Sequence, residues 1–178
     1  MSGAERARPK VPPTEAEGQL ASRMHAPLPR GRHGLSPEYV AAHQRARLLR
    51  AVCEVCAARG YAEATVAEIV RAAGVSQRAF YRHFDGKQEC FLAAWRDAAE
   101  EIEARVLAAL ASPVVAADLA AADARVALAL RALLQELAAH PALARMLFVD
   151  VLFAGSRALR AREQALARCR AALPAPAQ

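Results

Sequence analysis

The sequence predicts an all-α protein, a short three-helix unit built round a helix-turn-helix followed by a further helical domain. Three observations predict it. Alanine, the best helix former, fills 47 of the 178 positions, and glycine, one of the poorest, fills 8. Five stretches carry apolar residues at helical spacing, and none alternates apolar with polar as a half-buried strand does. Between the first two stretches lies a pair of shorter segments joined at a glycine, the pattern of two helices meeting in a tight turn.

Composition narrows the class further. Apolar residues make up 55% of the chain and aromatics 5%, so any core is mainly aliphatic. This argues against a β-sandwich, a disulfide scaffold or a nucleotide fold built on glycine loops. The formal charge is +6, and 22 of the 24 basic residues are arginine, Lys10 and Lys87 being the exceptions. That balance is compatible with a polyanionic partner without specifying one. The opening residues, MSGAERARPK, carry no apolar signal segment, and no run of about 18 apolar residues exists. A soluble, cytoplasmic protein with no membrane association and with reduced cysteines is expected.

Along the chain, residues 1–34 hold five of the ten prolines and a net charge of +3, and are expected to be a disordered basic tail. Ser36-Pro37 is a cap followed by the proline favoured at a first helical position. A helix is expected from there to Arg59, with Val40, Leu48, Val52, Val55 and Cys56 near one stripe and Gly60 ending it. A long helix should run from Lys87 to about Leu110, broken by Ser112-Pro113. Helices are expected over Asp123–Ala139, over the very apolar segment Pro141–Ala154, and over the arginine-dense segment Ser156–Leu173. Residues 174–178 read as a short tail. The predicted organisation is therefore 1–34 tail, 35–95 helix-turn-helix domain, 96–173 C-terminal helical domain and 174–178 tail.

Residues 65–87, TVAEIVRAAGVSQRAFYRHFDGK, carry the functional signal. Thr65 and Glu68 form a capping box that starts a helix. Gly74 stands where a left-handed C-terminal residue is wanted, Val75 follows as an apolar plug, and Ser76 caps a second short helix expected to end near Phe84-Asp85-Gly86. Ala79, Phe80 and Phe84 are the inward positions of that second helix. Gln77, Arg78, Tyr81 and Arg82 fall together on the opposite face with no acid among them. Arginine can grip guanine O6 and N7 with two hydrogen bonds, and glutamine can do the same to adenine. Hydroxyls and helix N-termini commonly meet phosphate.

The segment GYAEATVAEIVRAAGVSQRAFYRHFDGKQECFLAAW resembles the N-terminal DNA-binding domain of the TetR/AcrR family of transcriptional regulators. The likeness spans about residues 45–95. It rests on Arg59-Gly60-Tyr61, on the Gly74-Val75-Ser76 turn, and on Phe80-Tyr81-Arg82-His83-Phe84 followed by Lys87. The resemblance implies phosphate contacts for Thr65, Tyr81 and Lys87. It implies base reading for Ser76, Gln77, Arg78 and Ala79, and backbone or base contact for Arg82 and His83. Gly60, Gly74, Phe80 and Phe84 are assigned to the fold.

The resemblance further implies a C-terminal domain that senses a ligand and dimerises, so that two recognition helices meet a palindromic operator in double-stranded DNA. The implied role is a repressor released by a small hydrophobic effector. His140, Arg145, Met146, Asp150 and Phe153 are the candidate ligand-binding residues. The family's usual last two long helices, which pair across a two-fold axis, have no counterpart before Gln178. The C-terminal domain is therefore expected to be short, with a homodimer formed through Asp123–Leu173 or formed poorly.

Two other readings of the residues stand beside this one. Cys53-Glu54-Val55-Cys56 is a lone CxxC, which suggests either core packing or a thiol-sensing regulator. A helical interaction protein with a degenerate helix-turn-helix is the other. No paired carboxylates, Ser-His-Asp order or phosphate loop appears, and the histidines at 25, 33, 43, 83 and 140 are scattered. No catalytic residue, metal ligand or cofactor is therefore expected.

Overall fold

The structure, a computed structural model, describes residues 36–110 and 122–172, and every regular element among them is helical. The tails expected at 1–34 and 174–178 and the break expected at Ser112-Pro113 lie outside the described residues. The elements are α1 (Pro37–Arg59), α2 (Val66–Ala73), α3 (Gln77–Tyr81), α4 (Lys87–Leu110), α5 (Ala122–Ala139), α6 (Pro141–Phe148), a 3-10 turn (Asp150–Phe153) and α7 (Ser156–Ala172). No helix among the described residues is long and apolar enough to cross a membrane.

Local signals set the boundaries of the first three helices. The Ser36 hydroxyl accepts the Tyr39 N–H at 3.1 Å, and Pro37 fills the first turn, where its missing N–H costs nothing. Gly60 ends α1 at φ 81°, donating its N–H to the Cys56 carbonyl at 2.7 Å. The capping box of α2 is complete. Thr65 Oγ1 accepts the Glu68 N–H at 3.3 Å, and Glu68 Oε2 accepts the Thr65 N–H at 3.0 Å. Gly74 closes α2 in the left-handed region at φ 60°, ψ 37°. Its N–H bonds the Arg71 carbonyl, and the Val75 N–H reaches back to that of Val70, each at 3.1 Å. This paired arrangement satisfies two carbonyls that a helix end otherwise leaves open. Ser76 Oγ then accepts the Ala79 N–H at 3.1 Å and starts α3.

Two expected helices differ in extent. The second helix of the pair stops at Tyr81 rather than near Phe84, because the Arg82 and His83 N–H groups bond the Ala79 and Phe80 carbonyls and tighten the last turn. The apolar segment 141–154 is not one helix. It breaks at Val149 (φ −109°, ψ −62°) into α6 and the 3-10 turn.

The core runs without interruption from one end of the molecule to the other. At the helix-turn-helix end, Leu48 and Val52 of α1, Ile69 of α2, Phe80 of α3 and Phe91 of α4 are all fully buried. Each such side chain contributes about 1.5–3 kcal/mol of burial. Phe91 meets the Tyr61 ring edge-on at 4.8 Å between centroids. Further along, Trp95 and Ile102 of α4, Met146 and Leu147 of α6 and Val151 of the 3-10 turn continue the same cluster. Ala94 and Ala98 of α4 and Ala158 and Ala161 of α7 are also buried, and small residues at these positions let the two helices approach closely.

Candidate nucleic-acid interface

The short α3 is aimed by what lies beneath it. Phe80 is fully buried and packs near Phe84 (5.8 Å between centroids) and edge-on to Tyr81 at 5.3 Å. With Phe80 anchored, helical geometry turns Gln77, Arg78, Tyr81 and Arg82 outward, and all four are exposed. Tyr81 keeps 53% of its surface open, which is unusual for a tyrosine beside a core aromatic and leaves its hydroxyl available. Among the described residues neither Arg78 nor Arg82 pairs with a carboxylate; Arg82 donates instead to Gln44 Oε1 of α1 at 3.2 Å.

The structure places the other expected DNA-facing residues less uniformly. Ser76 is exposed at the start of α3. Ala79 is only 4% exposed and packs inward, so it does not share the outer face. His83 is half-buried, and burial, then the Arg82 and Arg45 guanidiniums, push its imidazole below the usual range. It is therefore neutral at neutral pH and adds no charge to the face. The Thr65 hydroxyl donates to Glu68 Oε2 at 2.8 Å, which commits its proton within the capping box. That bond is the leading reason the Glu68 carboxyl is held below the ordinary carboxylate range, and Arg59, 2.6 Å away, adds to it.

Lys87 has a double position. Its ammonium donates to the Tyr61 carbonyl at 2.8 Å and the Ala62 carbonyl at 3.1 Å, and sits 4.5 Å from the Tyr61 ring centroid. Two of its three protons thus hold the corner between α1 and α2, and one remains for an outside acceptor. Sequence reasoning also missed Gln44, which steadies Arg82. Arg45 was missed as well; its guanidinium lies 5.8 Å from the Phe84 ring centroid and 3.5 Å from Asp97. Neither residue belongs to a short motif, so nothing local marked them.

The five candidate ligand-binding residues do not converge. His140 is exposed at the start of α6, with Nδ1 3.1 Å from the Glu136 carbonyl oxygen. Met146 is buried in the core, and Phe153 is 66% exposed. Asp150 is 1% exposed; Oδ1 accepts the Tyr61 N–H at 2.9 Å and Oδ2 lies 3.4 Å from Arg145 Nε. The apolar cavity of the body, about 280 Å³, lies elsewhere, among α4, α5, α6 and α7, with Trp95, Ile102, Leu133 and Leu147 in its wall. None of the five lines it.

The cysteines form no disulfide. Burial pushes the thiols up, to about 11 for Cys53 and about 12 for Cys56 and Cys90, with the Asp150 carboxylate adding to the first two. Such thiols stay protonated and unreactive, which is the behaviour of core side chains. Among the described residues no group of three or more His, Cys, Asp or Glu side chains is arranged to hold a metal ion.

A short helix seated on a buried aromatic, preceded by a capped helix and a left-handed glycine, defines a helix-turn-helix carried on a helical body. Residues 48–94 match the family model described as bacterial regulatory proteins, tetR family. Two solved structures share the fold. The fatty acid degradation regulator FadR from Bacillus halodurans superposes with a TM-score of 0.58 at 16% identity, over 76% of this chain and 63% of its own. A TetR family transcription regulator from Marinobacter aquaeolei VT8 gives a TM-score of 0.58 at 18% identity, over 72% of this chain and 65% of its own. This chain therefore spans a little under two thirds of the length of these structures. No curated protein matches the sequence.

Proposed function

We propose that the protein is a transcription regulator that binds double-stranded DNA in a sequence-preferring way, with α3 lying in the major groove. The observation that carries this reading is the exposed, acid-free face of Gln77, Arg78, Tyr81 and Arg82 on a helix whose opposite side is locked by Phe80. Gln77 and Arg78 sit at the N-terminal end, where a recognition helix meets base edges, and Tyr81 and Arg82 follow where backbone phosphate is met. Ser76 and the remaining proton of Lys87 extend the phosphate contacts on either side.

The finer reading is a homodimeric repressor of a palindromic operator, released when a small apolar effector enters the cavity among α4–α7. The helix α4 supports it, since Lys87 at one end touches the reader's corner while Trp95 and Ile102 further along wall the cavity. An effector that favours the non-binding arrangement by about 1–3 kcal/mol suffices.

A gel-shift assay with genomic fragments at moderate salt, with excess unrelated competitor DNA, tests the reading. A subset of fragments should stay retarded while the rest are competed away. Equal competition by every sequence would leave a non-specific basic protein and defeat the proposal. Sedimentation of the protein alone and with an operator fragment tests the two-fold assembly.

A further inference from the structure

We infer that the cavity among α4–α7 takes an apolar-tailed carboxylate, with Arg162 as the group that meets the charge. The inference rests on reading the body as an effector-binding domain and adds the chemical class of the effector. The wall of the cavity is almost wholly hydrocarbon, contributed by side chains such as Ile102, Val106, Leu133 and Leu166. Two residues that carry charge, Glu103 of α4 and Arg162 of α7, also line it. They are not equivalent. Glu103 is gripped by Arg168, whose Nε lies 3.3 and 3.0 Å from its two carboxylate oxygens and whose terminal nitrogen is 3.0 Å from Oε2. That acid is therefore neutralised from outside the cavity. Arg162 has no carboxylate or other hydrogen-bond partner among the described residues.

Arg162 is a partly buried residue beside an apolar cavity, and its guanidinium has no acid to answer it there. Its planar fork matches a carboxylate with two parallel hydrogen bonds. A ligand that fills the hydrocarbon space and ends in a carboxylate satisfies both features at once. A neutral chain of the same length satisfies only the first. A cationic one brings like charge against Arg162. Cys169 also lines the cavity, but burial raises its thiol, so it supplies no competing anion.

Trp95 is the only tryptophan in the sequence and stands in the cavity wall, so its fluorescence reports occupancy without DNA. The full chain is titrated with decanoate, decanol and decyltrimethylammonium below their aggregation concentrations. Decanoate is expected to give a saturable change at about tenfold lower concentration than decanol, as a charge-assisted pair implies. The cation should give none. In Arg162→Gln decanoate should weaken to the level of decanol, with decanol unchanged; in Arg162→Lys part of the preference should return. Circular dichroism shows that each variant is folded. Equal binding of decanoate and decanol, or a preference that survives Arg162→Gln, overturns the assignment. A parallel gel shift separates it from the regulatory reading. If decanoate binds at Trp95 but leaves the DNA complex intact, the ligand class stands and effector release falls. If decanol releases DNA and decanoate does not, release stands and the carboxylate assignment falls.

Discussion

Asp150 Oδ1 accepts the Tyr61 N–H at 2.9 Å across 89 positions of sequence, and this one bond ties the body to the corner between α1 and α2. Lys87 holds the same corner by the Tyr61 and Ala62 carbonyls. The arginine that faces Asp150 reaches this corner too, since a Cβ placed on Gly60 would lie 3.1 Å from its terminal nitrogen, on Arg145. The α1–α2 corner is thus fixed by the Asp150 carboxylate and the Lys87 ammonium, with Arg145 packed beside them.

Asp150→Ala strips a part-buried backbone N–H of its acceptor and leaves Arg145 without its acid. It should cost about 1–3 kcal/mol of stability, read by urea denaturation. Asp150→Asn keeps an acceptor oxygen and should cost less. An alanine variant as stable as the parent would show that the bond contributes nothing.

Arg78→Ala should lower affinity for the preferred operator by about 1–3 kcal/mol and relax preference at one base pair, whereas Lys87→Ala should weaken all sequences alike and reduce the salt slope by about one. Because Lys87 also holds the α1–α2 corner, its loss should lower the melting temperature as well. Competition gel shifts at several salt concentrations, with thermal scans of the free proteins, separate the two roles.

Gly74→Ala forces a β-carbon into the left-handed region, at about 1–2 kcal/mol, and drives it against the Arg47 guanidinium. Gly86→Ala meets nothing within 4 Å and should stay within about 0.5 kcal/mol of the parent. Denaturation midpoints of the pair test whether Gly74 is required for its backbone angles.

His83 is a base whose proton affinity falls on folding. The folded state therefore binds fewer protons than the unfolded chain, and stability should drop as pH falls below the ordinary histidine range. It is at its full value above that range. His83→Gln should flatten this part of the stability–pH curve; an unchanged slope would assign the dependence to another group.

The helices with caps were legible because their boundary signals are local. Ser36, Thr65 with Glu68, Gly74 and Ser76 each act within a few residues, and each stands in the structure in the role the sequence assigned. The outer face of α3 was legible for the same reason, since helical periodicity alone separates Phe80 from Arg78. What the sequence could not carry was decided by partners far along the chain. The apolar run from Met146 to Phe153 suggests a pocket wall, but only Leu147 and Phe148 of it line the cavity, while Met146 turns into the core and the break at Val149 leaves Phe153 exposed. Asp150 gives no local hint of Tyr61. The cavity is walled by residues from four helices, and the Glu103–Arg168 pair that leaves Arg162 alone joins positions 65 apart.

The unbroken hydrocarbon interior, from Phe80 through Phe91 and Trp95 to Val151, has a thermodynamic corollary. Reader and body share Phe91, Trp95 and the α1–α6 contact, so neither can melt without uncovering the other's side chains. Calorimetry should record a single endotherm with equal calorimetric and van't Hoff enthalpies. A molecule that filled the distant void would then raise the melting point of the helix-turn-helix along with its own surroundings.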